Sequence, residues 1–192
     1  SKYLNLKCLS VHIGSQILNH KPYENMLNVI DKIISKSNHK FEYIDLGGGM
    51  GIDYEHNNSK LNLKKYSKNI EKFLKKNNSK IIFEPGRSII GNSAVLITKI
   101  LYIKEGYKKD FVILDAAMND LMRPALYGAK HKIIPSKKTK KVTKKSYEFV
   151  GPICESTDTF SIVKKYQKLD EKDFLVICDV GAYGTSLASN YN

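Results

Sequence analysis

Three short apolar runs, each ending in a glycine-rich or polar signature, constrain this chain more than any other feature. Leu6–Ile13 runs into Gly14-Ser15, Phe41–Leu46 into Gly47-Gly48-Gly49-Met50-Gly51, and Ile81–Phe83 into Glu84-Pro85-Gly86-Arg87. Amphipathic stretches separate them. Pro22 opens the first helical stretch, where its missing N–H costs nothing. Tyr23, Met26, Leu27, Ile30, Ile33 and Ile34 give that helix one apolar stripe. Leu63, Tyr66, Ile70, Phe73 and Leu74 do the same for a second helix. Strands about 37 residues apart with a helix between them imply parallel pairing through right-handed crossovers. In such folds the chemistry sits at the C-terminal ends of the strands, where all three signatures fall.

After about residue 92 the pattern changes. Ala94–Ile103, Phe111–Leu114, Tyr147–Val150 and Phe174–Val180 read as strands with no comparable helix between them. The chain is therefore expected to be α/β followed by mostly β, with domains at 1–91 and 92–192. A closed barrel of eight βα units needs roughly 250 residues. The α/β part is either a small three-unit sheet or the last part of something longer. A first strand within the first few residues favours the second.

Composition narrows the function classes. No apolar run approaches the roughly 18 residues of a membrane helix, and the N-terminus does not read as a signal peptide. Cys8, Cys154 and Cys178 lie far apart with no metal spacing. That suggests a reducing, cytoplasmic setting without disulfides. Cys8 and Cys178 are expected to be inert core thiols. Cys154, beside Glu155 in a turn after Gly151-Pro152, stands in a more reactive setting. The net charge of +13 would suggest nucleic acid. However, lysine and asparagine are over-used throughout, as in an AT-rich genome. The densest basic run, Lys137–Lys145, lacks interleaved aromatics and reads as a solvated loop. Of 32 basic residues only Arg87 and Arg123 are arginine. Where lysine serves, this chain uses lysine, so these two positions ask for a planar, two-pronged donor.

Taken singly, the candidate residues keep two readings. The glycine run is a tight turn or an anion cradle. His12 is a satisfied core histidine or a ligand at the strand rim. Ser15 caps a turn or donates to a phosphate. Glu84 pairs with Arg87 at the rim or faces a ligand.

In combination they resemble a known family. His12–Gln16 (HIGSQ), Ile44–Tyr54 (IDLGGGMGIDY), Phe83–Ile89 (FEPGRSI), Leu121–Ala129 (LMRPALYGA), Gly151–Asp158 (GPICESTD) and Asp179–Asn192 (DVGAYGTSLASNYN) follow the order seen in diaminopimelate decarboxylases. These are fold type III pyridoxal-phosphate enzymes. The resemblance implies the C-terminal part of a TIM (β/α)8 barrel followed by a sandwich- or barrel-like β domain. It also implies decarboxylation of meso-2,6-diaminopimelate to L-lysine and CO2, with pyridoxal 5'-phosphate as cofactor.

By the same resemblance, His12 stacks on the pyridoxal ring, and Ser15, Gly48, Gly49 and the backbone at Gly86-Arg87 bind the phosphate. Glu84 faces the pyridine nitrogen, and Tyr183 touches cofactor and substrate. Arg87, Arg123 and Tyr127 hold substrate carboxylates, Glu155 takes the distal amino group, and Cys154 donates a proton. No metal is implied. The Cys-Glu pair is expected to enter the partner subunit of a homodimer, with neither nucleic acid nor membrane as partner. Two departures stand out. The Schiff-base lysine belongs to an early barrel strand that these residues do not include, and Lys130 stands where an aromatic residue is usual. Related decarboxylases of ornithine, arginine or carboxynorspermidine are the nearest rivals. A non-catalytic pyridoxal-phosphate carrier or a basic nucleic-acid module is more remote.

Overall fold

The computed structural model describes residues 3–192. The chain forms two compact units, one of residues up to Asp53 together with Asn57–Ile89, the other of Tyr54–His56 with Ile90–Asn192.

The first unit is a three-stranded parallel sheet of β1 (Cys8–Ser10), β2 (Tyr43–Asp45) and β3 (Lys80–Ile82), in that spatial order. Helix α1 (Lys21–Ser37) joins the first two strands and α2 (Leu63–Asn77) the last two. Leu9, Ile44 and Ile81 stand in register across the sheet. They pack with Tyr23, Met26, Leu27, Ile30, Tyr66, Ile70 and Phe73 of the helices. Both helices end on an asparagine in the left-handed region, Asn38 and Asn78, where many chains place glycine. Asn62 begins α2 by accepting the Lys65 N–H at 3.0 Å. The apolar stripes are narrower than expected. Ile33 of α1 and Leu63 at the first residue of α2 are exposed, whereas Ile34 and Leu61 beside them pack against the core.

Cys8 is not a core thiol. It is exposed, because alternate strand residues face opposite ways and Leu9 is the residue turned toward the helices. Cys178 is buried as expected, and burial pushes its thiol up.

The second unit is a six-stranded mixed sheet in the order β6-β9-β4-β5-β7-β8. Its strands are β4 (Leu96–Lys104), β5 (Lys109–Leu114), β6 (Ile133–Pro135), β7 (Ser146–Val150), β8 (Thr159–Val163) and β9 (Phe174–Ile177). Only β5 and β7 pair in parallel. Ile100, Val112, Leu114, Leu121, Phe149, Leu175 and Ile177 form the centre of its core. Strands β6 and β8 were not expected. The first ends on a proline, and the second alternates too briefly to stand out from the turn before it. Short helices α3 (Arg87–Ile90) and α4 (Arg123–Tyr127) complete the elements used below.

The basic loop is solvated as expected apart from Lys145, which is half-buried. Lys137 reaches Asp173 at 2.9 Å, and Lys145 donates to the Gly106 carbonyl at 2.8 Å. Among the described residues no helix is long and apolar enough to cross a membrane.

Candidate active site

In the first unit the strand-end signatures meet because the strands are parallel and in register. The Gly47 N–H donates to Asp45 Oδ1 at 2.8 Å, and the Glu84 N–H donates to the Gly47 carbonyl at 2.9 Å. The Ile17 N–H donates to the Gly49 carbonyl at 2.9 Å. Gly47 and Gly49 have φ of 63° and 84°, the left-handed region that glycine enters without penalty. Gly48 is required for another reason: a Cβ there would overlap the Glu84 carbonyl oxygen. Below the turn, the Tyr23 hydroxyl donates to the Gly48 carbonyl at 3.2 Å. Burial pushes that phenol up to about 12, so it stays a donor across the working range.

The side chains around this turn follow. His12 is exposed, with Nδ1 2.9 Å from where a Gly47 Cβ would stand. It is a rim residue and not the satisfied core histidine that was the other expectation. Glu84 and Gly86 are exposed, whereas Arg87 is only 8% exposed. Arg87 Nη2 donates to Ser15 Oγ at 3.0 Å, which ties the loop after β1 to the start of α3.

In the second unit, Arg123 opens α4 and is 5% exposed. Its Nη1 lies 2.9 Å from His131 Nε2, and its guanidinium lies over the Tyr54 ring at 4.7 Å. His131 Nδ1 lies 2.9 Å from the Cys178 carbonyl, and its ring meets Tyr54 edge-on at 4.9 Å. Tyr127, later on α4, is exposed. Lys130 reaches Glu55 at 3.2 Å.

Cys154 and Glu155 are exposed on the turn between β7 and β8. Asp158 shapes that turn. Its Oδ2 accepts the Ile153 N–H at 2.8 Å and its Oδ1 accepts the Met118 N–H at 2.7 Å. Its carboxylate also fills the space a Gly151 side chain would need. Glu155 Oε1 accepts the Tyr191 hydroxyl at 2.5 Å. Tyr183 is exposed with φ of 64°. Four of these contributors were not singled out from the sequence: Tyr23, Tyr54, His131 and Asp158. Tyr54 and Asp158 closed recognised motifs, but nothing in spacing showed what they would touch.

Residues 26–181 match the family described as pyridoxal-dependent decarboxylase, C-terminal sheet domain. The chain belongs to the pyridoxal-dependent decarboxylases. Diaminopimelate decarboxylase from Aquifex aeolicus is 37% identical over 197 residues, covering 100% of this chain and 47% of that protein. The enzyme of that name from Neisseria meningitidis serogroup B is 42% identical over 194 residues, covering 98% of this chain and 46% of its own length. The crystal structure of diaminopimelate decarboxylase from Helicobacter pylori complexed with L-lysine superposes with a TM-score of 0.84 at 39% identity. It matches 97% of this chain and 46% of that one. This pyridoxal-dependent decarboxylase chain thus spans about half the length of the curated relatives it matches. Its fold is the expected one, part of a TIM barrel followed by a β-rich domain.

Proposed function

We propose that these residues belong to a diaminopimelate decarboxylase, which converts meso-2,6-diaminopimelate to L-lysine and CO2 with pyridoxal 5'-phosphate as cofactor. Arg123 carries the reading. In a chain that uses arginine at only two positions, this guanidinium is buried and held in one orientation by His131 and Tyr54. A substrate with a carboxylate at each end needs such a fixed, planar partner at the end that does not react.

The residues present fit the cofactor. At Gly14, φ is 129° and nothing lies within 4 Å of where a Cβ would stand, next to Ser15 and its link to Arg87. That leaves open backbone where a phosphate could approach. Ser15, Gly48, Gly49 and the backbone of Gly86 and Arg87 would hold the phosphate. His12 would lie on one face of the ring and Tyr183 would touch both cofactor and substrate. Glu84 would keep the ring nitrogen protonated.

Pyridoxal phosphate, when bound, supplies the electron sink that takes up the pair left by departing CO2. Arg87, Arg123 and Tyr127 fix the substrate carboxylates, and Glu155 takes the distal ammonium. Cys154 delivers its thiol proton to the carbon that has lost CO2. The active form is a cytoplasmic homodimer in which the Cys154-Glu155 turn of one subunit serves the site of the other. Residues 1–91 contribute to the cofactor-binding barrel and residues 92–192 form the β domain.

Two variants of the full-length holoenzyme test this reading. Arg123→Lys keeps the charge and loses the fork, so KM for meso-diaminopimelate should rise roughly ten- to a hundred-fold, about 1.5–3 kcal/mol. Cofactor absorbance should stay intact. Cys154→Ala should instead lower kcat by about 10²–10⁴-fold with a smaller effect on KM. Normal substrate binding with loss of cofactor in Arg123→Lys would overturn the assignment.

A further inference from the structure

His131 lies eight residues beyond Arg123 and has no place in the roles given above. Its two ring nitrogens have partners of opposite kind. Cys178 offers a carbonyl oxygen, which can only accept, at 2.9 Å from Nδ1. Arg123 offers a guanidinium N–H, which can only donate, at 2.9 Å from Nε2. Both contacts are satisfied together by one form alone: the neutral ring with its proton on Nδ1 and a lone pair on Nε2. The ring is 5% exposed and is packed edge-on against Tyr54, the same ring over which Arg123 lies. The guanidinium is therefore held in two directions, by a face below and by an acceptor at one prong. The carbonyl that anchors His131 belongs to Cys178, the residue directly after β9, so the orientation of Arg123 is referred to the sheet.

We propose that His131 is a positioning residue, whose neutral Nδ1-protonated ring aims Arg123 at the substrate carboxylate retained in the product. The inference rests on the reading of Arg123 as that carboxylate's partner. Lysine would donate to the same acceptor with a rotating ammonium and would not transmit the orientation. A residue with this task affects ligands that carry the carboxylate and spares those that lack it.

The two nitrogens can be replaced separately. His131→Asn keeps an amide near the Nδ1 position, able to donate to the Cys178 carbonyl, and removes the acceptor for Arg123. His131→Gln places an amide oxygen near the Nε2 position and restores that acceptor. In the full-length holoenzyme, titration calorimetry with L-lysine and with cadaverine, which is lysine without its carboxylate, separates aim from general damage. His131→Asn should weaken L-lysine about ten-fold and cadaverine hardly at all, and His131→Gln should recover most of the L-lysine loss. Combined with Arg123→Lys, His131→Asn should add little, because the two share one interaction. Equal losses for both ligands, or a full additive loss in the double variant, would overturn the role of His131. If Arg123→Lys itself leaves L-lysine affinity intact, the carboxylate reading of Arg123 falls. If Arg123→Lys weakens L-lysine and His131→Asn does not, only the role of His131 falls.

Discussion

In the α/β unit the glycine turn after β2 is held largely by main chain, with Asp45 and Tyr23 each adding one side-chain bond. Amides and carbonyls of Gly47, Gly49, Glu84 and Ile17 pair with one another, and the parallel register of three strands brings them there. In the β unit the same task falls to buried polar side chains. Asp158 bonds the amides on two loops, and His131 fixes Arg123. The difference lies in what each fold supplies. Parallel strands end together, so their backbone groups form an edge without help. The loops of the β unit leave a mixed sheet at different places, and Asp158 and His131 tie them with side-chain bonds. The first unit should therefore be most sensitive to added volume, and the second to lost acceptors.

Gly48→Ala breaks the first half of that comparison most severely. The new methyl meets the Glu84 carbonyl oxygen, which is backbone and cannot turn aside. Overpacking of this kind costs about 1–3 kcal/mol, and it displaces the turn assigned to the phosphate. Loss of cofactor absorbance in the purified holoenzyme and a lower Tm are expected. An unchanged spectrum would show that the turn can shift without consequence.

Asp158→Asn is the matching test in the β unit. The amide keeps one acceptor oxygen for two N–H groups, so one of them loses its partner at a cost of about 1–3 kcal/mol. Because Ile153 precedes Cys154, kcat should fall more than KM. The pH dependence sharpens this. Burial pushes the Asp158 carboxyl up, more than the amides of Ile153 and Met118 pull it down. With the folded value above the unfolded one near 3.9, the contribution of Asp158 is greatest below the unfolded value. It declines as pH rises through the folded one. The stability gap between wild type and variant, from urea denaturation, should thus narrow as pH rises from about 4 to 7. A widening gap would mean that the charge itself holds the two loops.

The smallest effect is expected where neither mechanism operates. Lys138, Lys140, Lys141 and Lys144 are changed together to glutamine, leaving Lys137 and Lys145 on their acidic partners. Surface changes usually stay within about ±0.5 kcal/mol each, and kinetics on meso-diaminopimelate should be nearly unaltered. A marked rise in KM would give the loop a part in attracting an anionic substrate.

The sequence by itself determined the order of elements in the α/β unit and most of the residues at its strand ends. Helical periodicity, with a proline start for α1, specifies α1 and α2, because local spacing is a property of neighbouring residues, whereas the left-handed stops at Asn38 and Asn78 were seen only in the structure. The glycine positions could also be read, since left-handed backbone and close approach exclude other residues. Only the tertiary structure decided which side of β1 faces the helices, and so turned Leu9, half-buried, toward them and left Cys8 exposed. A three-residue strand alternates too briefly for its pattern to choose a side. The tertiary structure also decided the partners of the functional groups. Arg123 and Tyr54 are 69 residues apart in the numbering, and His131 meets a carbonyl 47 residues away. Such contacts depend on how strands from distant segments align in one sheet. No spacing within a motif encodes that alignment, so the arginine was legible from its rarity, whereas the histidine that holds it was not.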